Sequence, residues 1–218
     1  MALGSRVSLL AERSTGFVAV HPRTSESSDA FHMSLTEGAT LHLLFVCTGN
    51  ICRSPTAERL AAAYGAQLDI ANFSTSSAGV RAVVGSPIHH DAALVLKRLG
   101  GESSGFAARQ MSPKIASDAD LILAMTDAHR DAVLERAPRL LHRTFTLSEA
   151  AQLAAQTDVD SLEDLANMRT RLLRSDLVDI ADPIGRSPEV FEEVGAQIAS
   201  LLPPIIDLCR RIAVHQTA

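Results

Sequence analysis

The residues best suited to chemistry form one short run, Cys47-Thr48-Gly49-Asn50-Ile51-Cys52-Arg53-Ser54-Pro55, with five residues between the first cysteine and the arginine. A thiol attacks well only once ionised, and a helix N-terminus beside an arginine lowers its pKa. The unpaired N–H groups of such a helix start also cradle phosphate. Gly49 lets the backbone come close to a ligand, and Asn50 tolerates the left-handed conformation of a tight loop. Arg53 offers a planar fork that matches two phosphate oxygens. Ser54 can donate a hydrogen bond to a thiolate. Thr48, Ile51 and Cys52 complete the wall, so residues 48–52 and Ser54 are the candidate substrate-binding set. Cys52 is either a small packed residue or a thiol able to trap an oxidised Cys47 as a disulfide.

The elements around this run must hold it in place. Leu41–Val46 is a nearly continuous apolar run, the mark of a strand buried on both faces. Ser54-Pro55 reads as an N-cap followed by proline, with Ala57, Leu60, Ala61 and Tyr64 on one helical face and Gly65 as the stop. Further strands are expected at 73–77, 120–125 and 143–146. Helices are expected at 86–99, at 127–136 with Asp127 in its N-cap region, and from Ser187-Pro188 onward with Val190, Phe191, Val194, Ile198 and Leu201 on one face. The polar segment 157–180 reads as helical. Alternating strands and helices imply an α/β three-layer sandwich, a four-stranded parallel sheet covered on both faces. Ligands in such sheets bind beyond the carboxyl ends of the strands, where Cys47 stands.

The bulk composition narrows the function. The chain has 218 residues, 46% hydrophobic and 21% charged, with a net charge of −5. That length suits one domain, and its scattered lysines and arginines do not suit a nucleic-acid surface. No apolar stretch approaches the ~18 residues of a membrane span. The early run Val7–Ala11 stops at Glu12 and Arg13, too soon for a signal peptide. Three cysteines make no disulfide framework, so a reducing, cytoplasmic setting is expected. Residues 1–40 read as a flexible lead-in to a domain over 41–218, and Met33 stands where an internal start would fall. His89, His90, His129 and His142 lack metal-ligand spacing with a cysteine and are expected at the surface, and Cys209 is expected in the core.

The full Cys47–Pro55 run, placed after the first strand of an α/β domain, resembles the low-molecular-weight protein tyrosine phosphatases of bacterial type. Ser77-Ala78-Gly79 and Asp182-Pro183 resemble further segments of that family, and the likeness spans residues 41–213. It implies a protein tyrosine phosphatase that works through a phosphocysteine on Cys47, with Arg53 holding the phosphoryl oxygens. Asp182 would then be the general acid and base. Pro183 and Gly185 suit a loop that presents such an acid. Neither a metal nor another cofactor is implied. The expected partner is a phosphotyrosine-containing protein, a bacterial tyrosine kinase or a target outside the cell among them.

The chain departs from the family in its cleft. Ile184 and Gly185 stand where members carry tyrosines, and Val83 or Val84 stands where members carry a tryptophan or other aromatic. Phosphoarginine phosphatases of the family tend to have threonine at the place of Ile51, and the apolar Ile51 favours a phenyl group. A phosphoarginine phosphatase and an arsenate reductase of the same fold are the alternatives. The second needs two relay cysteines, which Cys52 and Cys209 are poorly spaced to supply.

Overall fold

The computed structural model describes residues 40–172 and 177–216. The expectations placed on residues 1–39, and on 173–176 within the polar segment, lie outside it. Strand β1, Leu41–Cys47, sends Leu41, Leu43 and Phe45 into one apolar cluster and Leu44 and Val46 into the other. That alternation with both sides apolar is what a central strand requires. β2 (Phe73–Gly79) and β3 (Leu121–Ala124) flank it, and β4 (Thr144–Thr146) closes the order β2-β1-β3-β4. All pairings are parallel.

Helices cover both faces. One layer contains α1 (Arg53–Gln67), α2 (His90–Arg98), α5 (Leu147–Ala154), α6 (Leu162–Met168) and the long α7 (Pro188–Gln216), meeting at Leu60, Leu96, Leu153, Leu165, Ile198 and Cys209. The other layer is thinner, with α3 (Pro113–Ser117) and α4 (Asp127–Arg136) placing Ala116 and Val133 against the sheet. The result is the expected three-layer α/β sandwich.

Several boundaries differ from expectation, each for a visible reason. α1 begins at Arg53 with no side-chain cap, because the Ser54 hydroxyl is used elsewhere. Gly65 lies inside α1 rather than ending it, where a Cβ would come within 2.4 Å of the Phe73 ring. α2 starts at His90, since Ser86 pairs its carbonyl with the Ala108 N–H and His89 donates its N–H to the Ile51 carbonyl. Of the polar segment, 162–168 is helical and Arg169–Arg171 a 3-10 turn, but residues 177–180 are not helical. α3 and α5 were not expected at all. Thr146 rather than Asp127's neighbourhood supplies the clearest cap: with Glu149 it forms a full capping box on α5. For α4 the N-cap is Thr126 and Asp127 is the first helical residue.

Candidate active site

β1 delivers Cys47 to the carboxyl edge of the sheet, and residues 48–52 turn back into α1. The loop's carbonyls are taken up from outside. Cys47, Thr48 and Gly49 accept N–H groups of Val80, Arg81 and Val83, Ile51 accepts that of His89, and Cys52 accepts that of Thr56. With those carbonyls turned outward, the N–H groups of Gly49, Asn50, Ile51, Cys52 and Arg53 have no acceptor among the described residues. Such a row of unpaired amides at a helix start is an anion cradle. Asn50 adopts the left-handed conformation, φ 56°, as its type allows. Gly79 proves stricter than Gly49, since a Cβ there would stand 2.5 Å from the Thr48 carbonyl oxygen.

Beneath the loop runs a chain of hydrogen bonds, directed from Arg109 through Asn50 and Ser77 to Glu58. The Asn50 Oδ1 accepts the Arg109 N–H at 2.8 Å, which sets the amide's orientation. Its Nδ2 therefore donates to Ser54 Oγ at 2.9 Å and to Ser77 Oγ at 2.7 Å. Ser77 donates in turn to Glu58 at 2.5 Å. Ser54 Oγ also bonds to Cys47 Sγ at 3.0 Å, a contact in which either group can be the donor. Burial raises the Glu58 pKa, against the opposing Ser77 hydrogen bond. Glu58 and Arg109 were not singled out in the sequence; Glu58 lies one helical turn past Ser54, on the same face of α1.

Arg53 is 4% exposed and reaches across the chain: Nη1 donates to the Ile180 carbonyl at 3.2 Å and Nη2 to Asp182 at 2.5 Å. Its Nε is buried with no partner. An orphaned guanidinium N–H beside a row of orphaned amides calls for an anion. Asp182 is half-exposed, and its second oxygen accepts the Ile184 N–H at 3.2 Å in a turn through Pro183. Gly185 has φ 77°. Of the nine residues singled out here, Cys47 to Ser54 form one loop and helix start, and Arg53 joins Asp182 to it.

The remaining expectations divide. Cys52 is buried, and burial followed by the charge of Cys47 pushes its pKa up to about 12. Cys209 is fully buried in α7, likewise raised to about 12 by burial, which takes it out of any thiol relay. All three thiols are free. His90 and His142 are exposed and His89 stacks on Phe191 with ring centroids 5.0 Å apart. His129 is the exception to the surface expectation: 7% exposed, it bonds Thr48 and Thr126 at 2.8 Å each. Burial, then the neighbouring Arg53, holds its pKa down at about 4. Around the mouth, Val83, Val84 and Ile184 are exposed aliphatics. Among the described residues no cluster of His, Cys, Asp or Glu is gathered to hold a metal, and no helix is long and apolar enough to cross a membrane. A cavity of about 880 Å³ lies elsewhere, against Arg130, Glu149 and Arg169, whose charges pair with one another.

Comparison with known proteins agrees with this geometry. A family model described as low molecular weight phosphotyrosine protein phosphatase matches residues 42–212. A protein-arginine-phosphatase of Geobacillus stearothermophilus is 34% identical over 73% of this chain and 90% of its own length. The solved arginine phosphatase YwlE of that organism superimposes with TM-score 0.60 at 32% identity, covering 77% of this chain and 91% of its own. The tyrosine phosphatase AmsI of Erwinia amylovora superimposes with TM-score 0.60 at 27% identity, over 77% and 92%.

Proposed function

The chain belongs to the low molecular weight phosphotyrosine protein phosphatase family, and from that premise we propose that it hydrolyses phosphotyrosine in protein through a phosphocysteine on Cys47. The observation that supports the mechanism is that one short stretch of chain carries Cys47, bonded to Ser54, five unpaired loop amides and the buried, unpaired Arg53 Nε. The Cys47 thiolate attacks phosphorus while the bond to the leaving oxygen breaks. The carboxyl proton of Asp182 passes to that oxygen. Asp182, now a carboxylate, takes a proton from water; that water attacks phosphorus, the sulfur–phosphorus bond breaks, and inorganic phosphate leaves. Loop amides and Arg53 hold the equatorial oxygens throughout. The Arg53 Nε–H is open to a phosphoryl oxygen while Nη2 holds Asp182.

Specificity rests on the walls. Ile51 and Val83 lie 3.4 Å and 3.6 Å from the position a Gly49 Cβ would take, so both flank the loop with aliphatic surface. Such surface suits a phenyl ring better than a guanidinium, whose N–H groups it would leave unpaired. The second reading, a phosphoarginine phosphatase, draws on the likeness to the Geobacillus enzyme. The physiological partner on the first reading is a phosphotyrosine-bearing protein of the cytoplasm, with a bacterial tyrosine kinase as the candidate to test.

The deciding experiment compares kcat/KM on matched phosphotyrosyl and phosphoarginyl peptides, with vanadate as the inhibitor control. Phosphotyrosine should be favoured by at least about tenfold, the scale of one well-fitted apolar contact. Higher kcat/KM on phosphoarginine would replace the first reading with the second.

A further inference from the structure

Asn50 and its partners brace one side of the nucleophile loop, from β2 and α1. The other side has a brace too. Thr48, directly after Cys47, bonds through Oγ1 to His129 Nε2 at 2.8 Å, and His129 Nδ1 bonds to Thr126 Oγ1 at 2.8 Å. The same Thr126 oxygen accepts the His129 N–H at 3.2 Å as the N-cap of α4. The imidazole is thus fixed by the helix start, and it in turn fixes Thr48 across 81 residues of chain.

We propose that His129 is a positioning residue of the nucleophile loop, acting through Thr48. This rests on the phosphatase reading above. A neutral imidazole carries one donor and one acceptor, which match two hydroxyls that can each give or take a hydrogen. A charged ring would be a double donor beside cations. The groups that face it are Arg53 and Arg81, which disfavour the charged form, and Asp182, which favours it; burial weighs more than any of them. Without the ring, Thr48 keeps only its carbonyl bond to the Arg81 N–H, and its side chain loses its one fixed partner. The peptide plane between Thr48 and Gly49 then gains freedom at the first amide of the cradle. Freedom there lowers the cradle's fit to the transition state more than it lowers substrate capture, so the cost falls on kcat.

The α4 start reaches the acid loop as well. Asp179 accepts the Asp127 N–H at 2.9 Å, and the Ile180 N–H goes to the Met125 carbonyl at 2.9 Å. One helix terminus therefore holds the residue after the nucleophile and the strand of chain that leads to Asp182.

A double-mutant cycle on the full chain tests the proposal with p-nitrophenyl phosphate, each variant checked by a thermal melt. His129→Phe keeps ring volume without hydrogen bonds, and Thr48→Val keeps shape without the hydroxyl. Each should lower kcat by about tenfold with KM changed less than about twofold. The double variant should be no worse than the poorer single, because both remove one interaction. Thr48→Ser, which keeps the hydroxyl, should recover most of the loss. Losses that multiply to about a hundredfold would overturn the proposal, as would wild-type kcat in Thr48→Val. If His129→Phe does not fold, the contrast between Thr48→Val and Thr48→Ser decides: equal kcat in the two overturns it. The Cys47→Ser control separates the two claims, since activity surviving there sinks the phosphatase reading, whereas its loss beside an unaffected Thr48→Val sinks this inference alone.

Discussion

Residues 47–53 and 178–186, the nucleophile and acid loops of the proposed mechanism, meet at the Arg53–Asp182 pair but are built in different ways. In residues 47–52 nearly every carbonyl is bonded to a neighbouring segment, and Asn50, Arg53 and Ser54 are buried. In residues 178–186 the backbone is tied to other segments at Val178 and Ile180 and within its own turn at Pro183–Arg186, while Asp182 is half-exposed, Ile184 is exposed and Gly185 takes a left-handed φ of 77°. The difference matches the two tasks. A cradle for charge works by being already in place, so that no reorganisation accompanies the reaction. An acid must meet a leaving group and then water, and a half-exposed carboxylate on a surface turn permits that.

The largest effect should come from the rigid side. Cys47→Ser should abolish turnover with an unchanged melt, because a serine hydroxyl in the same cradle is scarcely ionised. A variant with even a tenth of wild-type kcat would remove the covalent step from the mechanism.

On the exposed side, Asp182→Asn should cost about 10²–10⁴-fold on aryl phosphates with poor leaving groups and much less on good ones. Measured over a series of leaving-group pKa values, a uniform loss would make Asp182 a partner of Arg53 and nothing more.

Gly79→Ala sharpens the contrast by forcing the rigid loop to move. The added Cβ meets the Thr48 carbonyl oxygen at 2.5 Å and the Asn50 nitrogen at 3.0 Å, both backbone atoms that cannot rotate away. We expect kcat to fall about tenfold and stability by about 1–3 kcal/mol. An unchanged kcat would show that the cradle tolerates displacement and that its rigidity is incidental.

The smallest effect is a pH dependence of stability through His129. Its folded pKa, about 4, lies below the ordinary value of 6.5. The unfolded chain therefore binds the proton first as pH falls, so stability is full above about 6.5 and declines toward 4. At pH 5 the loss assigned to this one group is about 2 kcal/mol. Denaturant melts of wild type and His129→Gln at pH 7 and pH 5 should differ by that amount, and parallel losses in the two would place the acid sensitivity elsewhere.

Legibility followed the range of the interaction. α4 keeps its expected bounds because its signals are local, whereas the capping box of Thr146 and Glu149 on α5 is masked in the sequence because Thr146 also ends a strand. The sequence offers Ser54 both as a cap before proline and as a partner for a thiolate, and in the fold its hydroxyl bonds Cys47. A hydroxyl one residue inside a helix has two possible uses, and only the neighbouring sulfur decides between them. His129 was read as a surface residue because nothing in its neighbours along the chain predicts burial.

The sequence by itself determined the parallel α/β core and the nucleophile loop. Strand and helix periods are local patterns, and the thiol, the left-handed asparagine and the arginine follow one another within seven residues. The tertiary structure alone decided which distant groups complete the site. Asp182 meets Arg53 across 129 residues, His129 meets Thr48 across 81, and the Arg109 N–H sets the Asn50 amide across 59. No periodicity links positions so far apart; the parallel sheet does, by bringing the carboxyl ends of β1, β2 and β3 to one edge where their following loops must share the same space.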